Sequence, residues 1–226
     1  MKKILLLFVS IVTLLSSCSK DSEGVSFITT YCTFSMSGDQ ELFWPINKPF
    51  VDPGCTASEG STNVTVTSTS NLDIKKGGTY TINYKAVNSD GYAANTSRTV
   101  HVYDPTAPLT GYWTSNIVRN NAGTIAKRGP FSILLLGISP NEYLVADLLG
   151  GWYWFGSNYG AAYAGPAVVK LNADNTFTIE SATPTAFGAP VEFSDVSLYD
   201  PTTKTITLHT NMTDTKTMLF NITLTK

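Results

Sequence analysis

The residues best suited to chemistry lie in one aromatic stretch, GGWYWFGSNYGAAYAGP, which runs from Gly150 to Pro166. It contains two Trp, three Tyr and one Phe among glycines. Trp and Tyr rings stack on the flat C–H faces of sugars, and the indole N–H or the phenol adds a hydrogen bond. The same rings also fill the cores of β-folds, where neighbouring glycines let strands pack closely. The stretch is therefore either a ligand platform or part of a core.

Alternation along a strand would divide these side chains between two faces. If WYWF is a strand, its two tryptophans share one face, and Tyr153 and Phe155 share the other. A core requires only one such face, so a bound sugar, a partner domain or the following loop is expected to cover the second. The candidate glycan-binding residues are Trp152, Trp154, Tyr159 and Tyr163.

Few residues suggest catalysis. His101 and His209 lie in alternating segments away from any Ser or Cys elbow pattern, and no Gly-rich phosphate loop or metal-ligand spacing occurs. Glu180, Glu192 and Asp195 could form a glycosidase pair, but such acids are common at the surface ends of strands. We therefore predict a protein that is not an enzyme, with no cofactor and no metal site.

The N-terminus has the features of an exported lipoprotein. After MKK, the apolar run Ile4–Leu15 is of signal-peptide length and too short to span a membrane comfortably. The following LSSC, ending at Cys18, resembles a bacterial lipobox, whose cysteine thiol accepts a diacylglycerol. The polar SKDSE resembles the export signal of Bacteroidetes surface lipoproteins, although short polar tethers look alike. We expect residues 1–17 to be a signal peptide and 18–30 a lipidated tether, anchored in the outer membrane and facing the cell exterior.

Two further cysteines, Cys32 and Cys55, remain once Cys18 carries lipid. Beyond the inner membrane two such thiols can form a persistent disulfide. The alternative is two buried, unpaired thiols. Their spacing does not resemble a metal site, which requires four ligands close together.

The composition indicates a folded chain and excludes one class of partner. Of 226 residues, 42% are hydrophobic and 14% charged, with 17 Gly and 11 Pro for turns. The net charge is −2 and no Lys/Arg cluster occurs, so we expect no nucleic acid partner. Contact with the membrane is expected through the lipid anchor.

Residues 31–104 alternate apolar and polar side chains, which predicts half-buried antiparallel strands. In GGTYTINYKAV, one face carries Tyr80, Ile82, Tyr84 and Ala86. This region resembles the bacterial surface Ig-like repeats of the hyalin-repeat type. The matching residues are Asp52, Pro53, Gly54, Ala57, Gly78, Thr79, Tyr80, Tyr84, Gly91, Arg98, Val100 and Val102. The resemblance implies a non-catalytic β-sandwich that acts as a spacer or adhesion module, and the unusual Cys55 would fit an added Cys32–Cys55 disulfide.

Residues 105–110 predict a short, stiff linker, and 111–226 a second β-domain of about nine strands. The turn NADNTF and the alternating last strand, with Phe220, Ile222 and Leu224 on one face, support this interpretation. Asp147 stands alone in the apolar run YLVADLLGG and is expected to hydrogen-bond backbone or ligand. An Ig-like domain followed by DLLGGWY resembles Bacteroidetes surface lipoproteins, which implies association with glycan-uptake systems.

The predicted fold class is all-β, with an N-terminal Ig-like β-sandwich and a C-terminal antiparallel β-sandwich or small meander barrel. The predicted function is non-catalytic binding of a polysaccharide or oligosaccharide, with outer-membrane glycan-uptake proteins as partners. The alternative is a structural or adhesin-type surface protein, in which the aromatic stretch is core or a protein interface. An exposed flat patch would favour the protein interface, and a groove with polar groups would favour sugar.

Overall fold

The computed structural model describes residues 28–212 and 218–226. The predicted signal peptide, the predicted lipidation site Cys18 and most of the predicted tether lie outside these residues. Among the described residues, no helix is long and apolar enough to cross a bilayer. Their first half forms the strands β1 (Thr33–Met36), β2 (Glu41–Pro45), β3 (Cys55–Glu59), β4 (Thr62–Val64), β5 (Val66–Ser70), β6 (Gly78–Val87) and β7 (Ala93–Tyr103).

These seven strands form a β-sandwich. One sheet has the order β1-β3-β4 and the other β2-β7-β6-β5, with β2 parallel to β7 and the other pairs antiparallel. The predicted inward face of β6 is confirmed, because Ile82, Tyr84 and Ala86 are buried there. Val100 and Val102 of β7 lie beside them and are fully buried.

An ion pair between a buried arginine and a partly exposed aspartate ties the loop before β3 to the second sheet. The Arg98 guanidinium is fully buried and donates to Asp52 Oδ1 at 2.7 Å and to the carbonyl of Ser37 at 2.6 Å. The Tyr84 hydroxyl donates to the same carboxylate at 2.8 Å, and so does the backbone N–H of Gly54 at 3.0 Å. Residues that carry the Ig-like resemblance thus form one hydrogen-bonded network.

Of the two alternatives for Cys32 and Cys55, the structure has the unpaired thiols and not the disulfide. Strand β1 pairs with β3 in a register that places Cys55 opposite Met36, four residues along from Cys32. At the rise of a β-strand this separates the two Cα atoms by roughly 14 Å, against a limit of about 7 Å for a disulfide. Both thiols are free, and Cys32 is buried.

The second half of the chain forms one antiparallel sheet. Its strands are β8 (Gly111–Asn121), β9 (Thr124–Ser139), β10 (Glu142–Val145), β11 (Ala167–Leu171), β12 (Phe177–Ala182), β13 (Val191–Phe193), β14 (Leu198–Asp200), β15 (Thr205–Met212) and β16 (Met218–Thr225). The order β12-β11-β10-β9-β8-β16-β15-β13, with β14 beside β15, curls into a nearly closed barrel. A bridge between Thr176 and Leu198 links the strands near its two edges. The all-β prediction is confirmed. Of the two predicted forms of the C-terminal domain, a sandwich or a barrel, the structure has the barrel.

The barrel interior is apolar for most of its length. Phe220, Ile222 and Leu224 of β16 are fully buried, as their alternation predicts. They pack with Ile117 of β8 and Ile206 of β15 in one continuous core. The segment before β8 joins this core, since Ala107 and Leu109 are buried and the Trp113 indole donates to the carbonyl of Leu109 at 2.8 Å.

Candidate functional site

The aromatic stretch lies in the long connection between β10 and β11, and most of it is a series of turns. The conditional assignment of WYWF to a strand is therefore wrong. Gly150 and Gly151 have φ values of 66° and 95°, a left-handed conformation that breaks the alternation just before Trp152. Its one regular piece is a short 3-10 turn at Ala161–Tyr163.

Asp147 holds the two ends of this loop together. Its carboxylate accepts hydrogen bonds from the backbone N–H groups of Leu149 at 2.8 Å, Gly151 at 2.9 Å and Gly165 at 2.8 Å. The side chain is 1% exposed. Burial raises the pKa of Asp147 to about 6, although the three N–H donors act in the opposite direction. Of the two roles open to Asp147, hydrogen bonding to backbone is the one observed.

The assignment of Trp152 to a ligand-stacking face is also wrong. Its side chain is 1% exposed and lies inside the barrel mouth, with its ring centroid 5.8 Å from that of Phe220. The guanidinium carbons of Arg128 and Arg119 lie 4.4 and 4.6 Å from the Trp152 ring. A ring covered in this way by protein groups offers no free face to a sugar.

Further along the loop, aromatic side chains gather at the surface. We use "aromatic cluster" for Tyr153, Tyr159, Tyr163 and Phe187. Tyr159 stacks on Tyr153 with ring centroids 6.0 Å apart and lies edge-on to Tyr163 at 5.2 Å. Phe187 meets both Tyr153 and Tyr163 edge-on at 4.9 Å. Tyr159 is 55% exposed and Phe187 41% exposed, so the cluster has a buried base and an open top.

Trp154 belongs to a separate aromatic group at the other edge of the loop. Its ring stacks on Phe155 with centroids 4.5 Å apart, and Phe155 in turn lies 5.8 Å from Phe131 of β9. Trp154 is partly exposed and Phe155 is 41% exposed. The structure thus brings Tyr159 and Tyr163 together, stacks Trp154 on Phe155, and encloses Trp152.

The sequence did not indicate three residues of this region. Phe187 comes from the loop between β12 and β13, where it follows no periodic pattern. Arg119 and Arg128 lie at inward positions of β8 and β9, where the alternation predicts apolar side chains. These two exceptions to the alternation could have been noticed in the sequence.

Glu192 and the two histidines make ordinary structural contacts. Glu192 accepts from the Asn211 amide at 3.0 Å, and His209 Nδ1 lies 2.7 Å from the Asn221 amide oxygen. His101 is buried between the two halves of the chain, with Nε2 2.7 Å from Glu41 Oε1 and Nδ1 2.9 Å from the Thr79 hydroxyl. Within the described residues, no group of three or more His, Cys, Asp or Glu side chains could hold a metal ion.

The two halves of the fold match two family models that meet at residue 102. Residues 34–102 match the bacterial surface protein Ig-like domain, and residues 102–226, more than half of the chain, match a C-terminal domain model. The chain is also similar to the crystal structure of the lipoprotein BT2262 from Bacteroides thetaiotaomicron, with 28% identity and a TM-score of 0.72. That likeness covers 87% of this chain and all of the other. The chain belongs to the family of BT2262-type surface lipoproteins.

A second solved structure is less similar to this BT2262-type lipoprotein. A protein of unknown function from Bacteroides ovatus is 10% identical over 86% of this chain and 92% of its own, with a TM-score of 0.39. No curated protein matches the chain.

Proposed function

We propose that this BT2262-type lipoprotein captures glycan at the cell surface without chemical conversion, through the aromatic cluster. The observation that carries the proposal is the open top of that cluster. Tyr159, Tyr163 and Phe187 meet there edge-on, two of them bearing phenol groups. Rings of this kind present apolar faces to the C–H face of a sugar, and the phenols can hydrogen-bond its hydroxyls.

The base of the cluster supports a binding role because it is held rigidly. Tyr153 is 9% exposed, and its hydroxyl contacts the Met218 sulfur at 3.2 Å. Its ring also packs 6.2 Å from buried Phe220, so the cluster is attached to the barrel core. Aromatic side chains fixed in this way lose little conformational freedom when a ligand binds, which favours affinity.

The rest of the chain fits display of this cluster outward. We propose that residues 18–30 form a lipid-anchored tether on the outer face of the outer membrane, and that 31–104 form a spacer. Residues 105–110 then join the spacer to a binding domain at 111–226. Glycan-uptake proteins of the same membrane would receive the captured polysaccharide.

Affinity electrophoresis against a panel of polysaccharides tests this proposal. The chain from Ser19 to Lys226 keeps every described residue and lacks the lipid anchor. Retardation by one glycan should weaken about tenfold in Tyr159→Ala and in Phe187→Ala, because each loses one stacking partner. Tyr92→Ala is the matched control, because Tyr92 is 52% exposed on the sandwich, close to the 55% of Tyr159.

Two outcomes contradict the proposal. One is a folded Tyr159→Ala chain that is retarded as strongly as wild type. The other is a wild-type chain that no glycan retards, while the same two variants lose binding to a surface protein. That second outcome would make the cluster a protein interface, as expected of an adhesin-type protein.

A further inference from the structure

Two arginines face inward at the mouth of the barrel, where the alternation along the strands predicts apolar side chains. Arg119 follows Ile117 by two positions on β8, and Arg128 of β9 is paired directly with Ile117. Residues two apart on a strand share a face, so both arginines lie on the inner side with buried Ile117. We call Arg119 and Arg128 the arginine pair.

The arginine pair converges on the Trp152 ring. The guanidinium carbons of Arg119 and Arg128 lie 4.6 and 4.4 Å from the ring centroid, so both cations contact the same ring. Arg128 donates to the Trp152 carbonyl at 2.8 Å and to the Ser157 hydroxyl at 2.6 Å. Arg128 is thereby fixed to the same loop that carries the aromatic cluster.

The part of the chain that the structure describes places no counter-charge on the pair. Within residues 28–212 and 218–226, the recorded ion pairs involve Arg98 and His101, and none involves the arginine pair. Arg119 Nε is buried and has no hydrogen-bond partner there, and the same is true of Nε1 of the 1%-exposed Trp152. Buried polar groups are normally satisfied, and neighbouring like charges repel each other. Among the described residues, two unpartnered donors thus lie beside two cations, an arrangement that favours an anion.

We propose that the arginine pair binds the carboxylate or sulfate group of an acidic sugar, with the Trp152 indole N–H as a further donor. A guanidinium matches such oxyanions through two parallel hydrogen bonds. Trp152 and Tyr153 are consecutive residues and both pack against Phe220, so the arginine pair on the Trp152 ring lies close to the aromatic cluster that contains Tyr153. This inference rests on the proposed function and assigns its substrate class, an acidic polysaccharide.

Thermal unfolding in sodium glucuronate, compared with sodium chloride at equal ionic strength, tests the anion site directly. At several times its Kd, glucuronate should raise the Tm of the Ser19–Lys226 chain by about 2–4 °C. Arg119→Gln should lose this shift. Lys127→Gln should keep it, because exposed Lys127 is next to Arg128 in sequence and its loss changes the net charge equally. A Tm shift of the same size in Arg119→Gln and wild type would overturn the proposal.

A comparison of polymers keeps the proposal testable if Arg119→Gln does not fold. Wild type should be retarded by polygalacturonate and about tenfold less by its fully methyl-esterified form, which has the same backbone without the charge. Equal retardation by both, lost in Tyr159→Ala, would overturn the anion site and leave the proposed function standing. A glucuronate shift without binding of any glycan would overturn the proposed function and the polysaccharide substrate class, and would leave only the anion site standing.

One acid outside the described residues provides a final control. Asp214 lies four residues before Met218 in the sequence. If the glucuronate shift occurs only in Asp214→Asn, that carboxylate is the counter-charge of the arginine pair and the proposal is overturned. A shift that is the same in Asp214→Asn and wild type supports it.

Discussion

Asp147 determines the path of the aromatic loop because one carboxylate satisfies three backbone donors that the turns leave free. Leu149, Gly151 and Gly165 all point N–H groups at it. The hydrogen bond from Gly165, 18 positions after Asp147, thereby joins the end of the loop to its start. Burial opposes ionisation of this carboxyl, and its hydrogen bonds favour it. The net result is a pKa of about 6, raised from 3.8.

We expect this pKa shift to make the contribution of Asp147 to stability fall as pH rises. The folded state holds the proton up to about pH 6, whereas the unfolded state releases it near pH 4. Because the folded state binds more protons between these values, the free energy of unfolding decreases across this window. The change amounts to about 3 kcal/mol at most. The difference in the free energy of urea unfolding between wild type and Asp147→Asn, measured against pH, isolates this effect, because the two proteins share all other titrating groups. A difference that stays flat or grows from pH 3.5 to 7 would contradict the assignment.

For individual residues, the sequence could not predict which aromatic side chains are exposed. Trp152 and Trp154 are two positions apart in a glycine-rich stretch, yet one is enclosed and the other partly exposed. The difference arises from the turn at Gly150 and Gly151 and from the arginine pair, which comes from strands more than 20 residues earlier. Composition indicated the right stretch, but only tertiary contacts decide which rings reach solvent.

Strands were more predictable than side-chain exposure because period-two alternation is a local signal. The inward faces of β6 and β16 follow it, and the turn between β11 and β12 begins at Asn172 as NADNTF predicts. The register between strands depends on partners far away in sequence. This is why the Cys32–Cys55 distance, the parallel pairing of β2 with β7 and the near-closure of the barrel were not predictable.

At the same scale, the Arg98 network joins elements of both sandwich sheets. Arg98→Met has a similar volume but leaves the partly exposed Asp52 carboxylate without its cation, which should cost about 1.5–3 kcal/mol. Urea unfolding of the Ser19–Lys226 chain measures this loss. Lys85→Met, at an exposed position on β6, is the control and should change stability by less than about 0.5 kcal/mol. A loss in Arg98→Met no larger than in this control would show that the network does not stabilise the sandwich.

At the scale of the whole molecule, the sandwich and the barrel are in direct contact. Asp104 donates its backbone N–H to the carbonyl of Gly137 at 2.8 Å. The Tyr112 hydroxyl of β8 donates to the Glu41 carboxylate, which also accepts a hydrogen bond from His101 Nε2. These hydrogen bonds lower the pKa of Glu41 although burial raises it. The two halves therefore share polar groups as well as packing.

Close backbone approach at this contact requires a glycine. A Cβ added to Gly77 would lie 2.6 Å from the Cα of Ile138, and backbone atoms cannot move aside as a side-chain tip can. Gly77→Ala should therefore separate sandwich from barrel locally and cost about 1–3 kcal/mol. We expect its calorimetric unfolding to split into two transitions where wild type shows one, since each half keeps its own core. Lys76→Ala, the exposed neighbour, should unfold as wild type does. A single transition in Gly77→Ala with unchanged Tm would mean that the two halves tolerate this separation without losing cooperativity.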